Sequence, residues 1–239
     1  MNRNIITAFL GSLVLVLGGV SCSDFFSSSL ASWAARDPEN MGPPVTTDNV
    51  YDLIAQTEND PDLALEVLRG IKNAAAHASG KDLALLQAAG LKAAANASGL
   101  GAAMLNHAGD LTNAFADGDK TRGIVKDSIG ELDNLEETGA ILADTLPDPG
   151  DTAAFAAFVE ASSADDLTMA AAVLLASEAK SRSDSSSYID SFDSQASGHN
   201  EKETLAIKLA AAASKKYDDE GGTGPLKDIL AGLNLISSP

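Results

Sequence analysis

The chain has 239 residues, of which 34 are acidic and 16 are lysine or arginine, so its formal net charge at pH 7 is −18. This balance excludes nonspecific nucleic-acid binding, which needs clustered basic residues, and it opposes adsorption to anionic lipid surfaces. Aromatic residues make up only 5% of the chain, so a core must be built from Leu, Ile, Val and Ala. Small side chains of this kind favour closely packed helices.

The first 21 residues have the composition of a bacterial export signal. Arg3 precedes an apolar run over residues 5–17, and small residues follow at positions 18–21. The run is shorter than the roughly 20 apolar residues that a membrane-spanning helix needs. We therefore expect residues 1–21 to be a cleaved signal peptide.

Cys22 is the only cysteine of the chain, and it directly follows Val20 and Ser21. This arrangement resembles the bacterial lipoprotein signal, with Gly19 at a position where leucine is usual. Relaxed signals of this kind are typical of spirochaetes, and residues 22–38 resemble the start of treponemal lipoproteins. The resemblance implies that Cys22 is acylated and holds the protein on a membrane of the cell envelope, at the periplasmic face or the cell surface. The alternative is an ordinary cleaved signal followed by an incidental cysteine.

Residues 22–47 are predicted to be a flexible tether between the lipid and the folded body. They are rich in serine and end near Gly42-Pro43-Pro44, a sequence that cannot continue a helix. Each buried methylene of an acyl chain contributes about 0.8 kcal/mol to membrane binding, so several chains on one residue give a stable anchor. The body would then be tethered to the membrane and not embedded in it.

From residue 48 onward the apolar pattern has helical periodicity and almost no strand signal. The sequence predicts an all-α protein, either a helical bundle or a short α-solenoid of about nine helices. Asp60-Pro61 has the residue types of a helix cap and first-turn proline. The predicted helices cover residues 48–57, 61–78, 81–97, 100–115, 120–146, 151–162, 165–181, 200–218 and 225–236.

Residues 120–146 are predicted to form one long helix, because apolar side chains recur at heptad-like spacing between Val125 and Leu146. The prolines and glycine at 147–150 then separate a first helical half, residues 48–146, from a second, residues 150–239. Segments of the two halves align if the serine-rich residues 181–198 are an insertion, which suggests two related halves. The insertion is interpreted as a flexible loop, or as an adaptable surface carrying Tyr188 and Phe192.

Helix pairs stacked in series would resemble an α-solenoid, and the Ala-rich second helices resemble tetratricopeptide repeats. The Trp-Leu-Gly-Tyr pattern of the first repeat helix is missing, and only the Asp60-Pro61 boundary and the alanine positions fit. Tetratricopeptide lipoproteins that assist periplasmic solute uptake in treponemes are the nearest functional analogy.

No local pattern predicts a catalytic, cofactor or metal site. Residues 117–128 begin like a calcium loop, but Arg122 stands where glycine is required and Ser128 where a bidentate carboxylate is required. His77, His107 and His199 lie far apart and have no cysteine or histidine at ligand spacing. We therefore expect no cofactor and no metal, and we expect that the protein is not an enzyme.

The sequence thus predicts a lipid-anchored helical lipoprotein that acts as a binding or scaffolding module for a protein partner in the cell envelope. Two alternatives stay open. One is a helper of periplasmic solute uptake with a ligand cavity between the two halves. The other is an enzyme whose dispersed site brings together a histidine, a carboxylate and a nucleophilic serine.

Overall fold

The computed structural model describes residues 44–106, 123, 126–221, 226, 227, 230, 233 and 235. Pro44–Pro239 form one compact unit. The predicted signal peptide and nearly all of the predicted tether, including Cys22, lie outside the described residues.

The predicted all-α class is confirmed, because the described residues form helices and turns and contain no strand. The observed helix bounds agree closely with most of those predicted from apolar periodicity. The helices whose bounds the structure describes are, in chain order, α1 (Val50–Ala55), α2 (Pro61–Ala75), α3 (Gly80–Ser98), α4 (Leu100–Asn106), α5 (Leu135–Thr145), α6 (Thr152–Ala161), α7 (Ala164–Lys180), α8 (Ser185–Ser191) and α9 (Glu201–Asp219).

The helix ends follow local capping chemistry. The side chain of Asp60 accepts a hydrogen bond from the Leu63 amide, and Pro61 occupies the first turn of α2, where no amide donor is needed. Gly99 ends α3 in a left-handed conformation with φ of 67°, which glycine adopts without steric cost. Side chains cap four more helices, α6 to α9, in the same way as Asp60: Asp151, Ser163, Asp184 and Asn200.

The prediction of one continuous helix over residues 120–146 is wrong. The chain is helical at residues 126–129, turns at 130–134, and begins α5 at Leu135. Gly130 lies in this turn and disfavours helix by roughly 1 kcal/mol relative to alanine. The carbonyl of Leu132 accepts a hydrogen bond from the Lys180 ammonium at 2.7 Å. A side chain of α7 thus replaces one of the backbone hydrogen bonds that a continuous helix would have made. Buried side chains on both sides of the turn continue the apolar pattern that predicted a single helix.

The two predicted halves share one core. Helix α3 packs against α2 and α5 from the first half, and also against α6 and α7 from the second. Helices α3 and α7 are the most thoroughly buried, and most of their buried residues are alanines and leucines. The residues at 147–150 therefore form a turn within one compact unit. That the two halves are related by an internal repeat stays a prediction.

Small residues allow a very close approach between α5 and α7. A Cβ added at Gly139 of α5 would overlap both Oγ and Cβ of Ser177 on α7. One buried polar side chain joins α3 to the end of α5: the Gln87 side-chain amide donates to the Thr145 carbonyl at 3.1 Å. In the part of the chain that the structure describes, no helix is both long and apolar enough to cross a membrane.

Candidate functional site

The described residues do not bring together the predicted lipidation residue, the histidines and the calcium-loop-like stretch. Cys22 and His107 lie outside the described residues, as does most of the stretch 117–128. His77 is exposed just beyond the end of α2. Among the described residues, no group of three or more His, Cys, Asp or Glu side chains is placed to hold a metal ion. His199 is different, because it joins a cluster of charged and aromatic side chains.

This cluster lies where the serine-rich residues return to the body. Residues 181–198 are predicted to be an inserted flexible loop or an adaptable surface. Together with His199 they form what we call the serine-rich strap, residues 181–199, which contains α8 and two buried apolar side chains, Ile189 and Phe192. Tyr188 is partly buried. The aromatic residues expected on an adaptable surface thus face the body, and serines make up most of the exposed side of α8.

Glu203, in the first turn of α9, is the centre of the cluster. A capping box fixes its position. The Asn200 side-chain oxygen accepts a hydrogen bond from the backbone amide of Glu203, and the backbone amide of Asn200 donates to Glu203 Oε2, both at 2.9 Å. This folds the carboxylate back toward the strap. The residue is only 8% exposed, so its charge must be stabilised by neighbouring donors.

Three side chains of the strap meet the Glu203 carboxylate. The Tyr188 hydroxyl donates to Oε1 at 2.8 Å, Arg182 Nη2 donates to the same oxygen at 3.3 Å, and His199 Nδ1 lies 3.4 Å from Oε2. Glu178 of α7 holds the Arg182 guanidinium at 2.9 Å from Nε, and the guanidinium carbon lies 5.0 Å from the Tyr188 ring centroid. Glu203 thereby connects the beginning, the middle and the end of the strap.

Burial and hydrogen bonding act in opposite directions on Glu203. Burial raises its pKa, but hydrogen bonds from Asn200, Tyr188 and His199, together with the charge of Arg182, outweigh burial and hold the pKa below its ordinary value. Burial, and then the bond to Glu203, raise the pKa of Tyr188. At neutral pH the cluster therefore contains an ionised glutamate and a protonated tyrosine that donates to it.

His199 and Glu203 form a histidine–carboxylate pair of the kind that the dispersed-enzyme alternative requires. The opposite ring nitrogen, Nε2, is buried and has no hydrogen-bond partner among the described residues. The ring lies 5.6 Å from that of Phe192, between centroids. The described groups around His199 thus supply a carboxylate and an aromatic face, with no serine hydroxyl bonded to the ring.

A second polar contact fastens the other end of α9 to α7. The Tyr217 hydroxyl donates to Asp165 Oδ1 at 2.5 Å, and burial followed by this bond raises the pKa of Tyr217. Lys216 donates to the Ser162 carbonyl, also at 2.5 Å. Helix α9 is therefore held on α7 near both of its ends, and the Glu203 cluster is the end that also holds the strap.

Part of this cluster is visible as a local pattern in the sequence. Asn200 and Glu203 have the spacing of a capping box, and Glu178 and Arg182 have the i,i+4 spacing of a helical ion pair. Neither pattern indicates that the two pairs meet. Their meeting depends on the packing of α9 against α7 and on the path of the strap.

No protein-family model, curated protein or solved structure gives a significant match to the chain. Its function must therefore be inferred from its own residues.

Proposed function

We propose that the protein is an exported bacterial lipoprotein, anchored through lipid on Cys22, whose helical body binds or scaffolds another protein of the cell envelope. The observation that carries the proposal is the apolar run at 5–17, followed by four small residues and then by the chain's single cysteine. Acylation of that cysteine would explain how so acidic a protein stays at a membrane, since the charge of the body opposes binding to anionic lipid.

The character of the body supports a binding role. Pro44–Pro239 form one compact unit with an interior of alanine and leucine, and many of its carboxylates lie on the outside. Removal of residues 1–21 would take away a single charge, that of Arg3, and would make the net charge one unit more negative than −18. Such a surface favours a partner with a basic face, because opposite charge speeds encounter and rejects acidic competitors.

Metabolic labelling with an alkyne-tagged fatty acid tests the anchor. In a bacterium that processes lipoproteins, the wild-type chain should take up the label and partition with membranes. The Cys22→Ser variant should be unlabelled and should be recovered in the soluble fraction, because the only thiol that can carry the lipid is gone.

Ser23→Ala is the matched control, since it changes the adjacent residue and leaves the thiol in place; it should label like the wild type. Label retained by Cys22→Ser, or absent from the wild type, would overturn the lipid anchor.

A further inference from the structure

Among the described residues, two buried apolar side chains and a cluster of polar contacts attach the serine-rich strap to the body. Among the residues of α8, Ile189 alone is buried, and Phe192 follows it as the second apolar anchor. On the solvent side Lys126 forms an ion pair with Asp190 at 2.8 Å, with the Asp190 side chain 57% exposed. Exposed pairs of this kind contribute little to stability. Within the described part of the chain, the Glu203 cluster is therefore the main polar attachment of the strap.

We propose that the serine-rich strap is a releasable cover on α7, closed by the negative charge of Glu203 and opened when that charge is lost. Closure requires the carboxylate, because Tyr188, Arg182 and His199 all converge on its two oxygens. Neutralisation of the Glu203 carboxylate would remove the negative charge that attracts Arg182, and it would weaken the hydrogen bond that the Tyr188 hydroxyl donates. Opening would expose the apolar side chains of Ile189 and Phe192 and the α7 surface beneath α8.

The charges around Glu203 decide the direction of the pH effect. Helix α7 contributes Glu178 and Arg182, the strap contributes Tyr188 and His199, and Lys126 reaches the strap from the segment before α5. The positive charge of Arg182 favours the ionised Glu203 carboxylate. Because the pKa of Glu203 is lowered in the folded protein, its contribution is complete above its ordinary value of 4.5 and is lost below it. The strap should therefore be closed at neutral pH and open in acid.

Hydrogen–deuterium exchange of the full chain, purified in mild detergent, tests this proposal. At pH 7, Glu203→Gln should lower the protection of amides in the strap by about tenfold or more, since hydrogen bonds to a charged group are lost. Amides of α2 should keep their protection. Glu201→Gln is the matched control, because it removes the same charge from an exposed position in the same helical turn; its strap should exchange like that of the wild type.

The wild type should lose strap protection as the pH falls below 4.5, after correction for intrinsic exchange rates, while Glu203→Gln should show no such step. Equal strap protection in Glu203→Gln and Glu201→Gln, or a wild-type strap insensitive to acid, would overturn the proposal. If Glu203→Gln unfolds throughout, Tyr188→Phe decides, because it removes one donor and keeps the aromatic ring. Faster exchange in Tyr188→Phe that is confined to the amides of the strap supports the proposal. Exchange that is unchanged in the strap, or faster throughout the protein, refutes it.

Discussion

At the scale of single residues, the contact between Gly139 and Ser177 sets the distance between α5 and α7. We expect Gly139→Ala to destabilise the protein by about 1–3 kcal/mol, because the new Cβ would overlap the Ser177 side chain in a closely packed core. For a protein of this size each kcal/mol lowers Tm by about 2–4 °C. Thermal unfolding followed by circular dichroism at 222 nm measures the shift.

Gly130→Ala is the control for that substitution. A Cβ at Gly130 would have no heavy atom within 4 Å, so Tm should change little. The double variant Gly139→Ala with Ser177→Gly removes the overlapping atoms and should recover part of the lost stability. A Gly139→Ala variant as stable as Gly130→Ala would show that the two helices can separate without cost.

The Glu203 cluster shows which residues sequence reasoning can and cannot find. The capping box at Asn200 and Glu203 is a local pattern and could be predicted, because both bonds lie within one helical turn. Tyr188 is 15 positions before Glu203, and its hydroxyl reaches the carboxylate only because Ile189 and Phe192 anchor the strap. A contact of that kind depends on tertiary packing, which one sequence without related sequences does not reveal.

At the scale of helices, the start of α2 depends on one carboxylate. Asp60→Ala should cost about 1 kcal/mol, because the Leu63 amide would lose its acceptor at the helix start. Asp82→Ala is the matched control: Asp82 is an exposed aspartate in the first turn of α3 and is not the cap. In urea unfolding, the free energies of unfolding of the two variants should differ by about 1 kcal/mol. Equal unfolding midpoints would show that the Asp60 side chain does not stabilise the start of α2.

Most helix bounds were predictable from local chemistry, whereas α8 and the turn at 130–134 were not. Caps and prolines act within a few residues, so the starts of α2, α6, α7 and α9 lay within one residue of those predicted. The turn at 130–134 was missed because buried apolar side chains, Ile129 before it and Leu135 after it, continue the apolar pattern across it. What stabilises the break is the Lys180 ammonium from α7, which is remote in sequence.

At the scale of the whole molecule, the net charge of −18 predicts how a partner would be held. Affinity capture of the tethered protein from its own membranes should recover a protein with a basic surface. That partner should be released as salt rises from 0.1 M to 1 M, because the screening length falls from about 10 Å to about 3 Å. A partner retained unchanged at 1 M salt would contradict an electrostatic interface.

The all-α class followed from periodicity alone, whereas the single shared core did not. The sequence divides naturally at residues 147–150, and apolar spacing says nothing about which helices become neighbours. Burial of α3 between α2, α5, α6 and α7 joins the two halves, and that arrangement is set by long-range packing.

The convergence of both ends of the strap on Glu203 also bears on how this chain could have acquired its length. Arg182 and His199 touch the same carboxylate, so the chain leaves the body and returns to it at nearly one point. A segment with adjoining ends can lengthen without displacing the helices that flank it, and each doubling costs only about 0.6 kcal/mol of closure entropy. The exposed residues 195–198 are therefore a place where the protein can carry added sequence, such as an epitope or a second domain, while α7 and α9 stay packed.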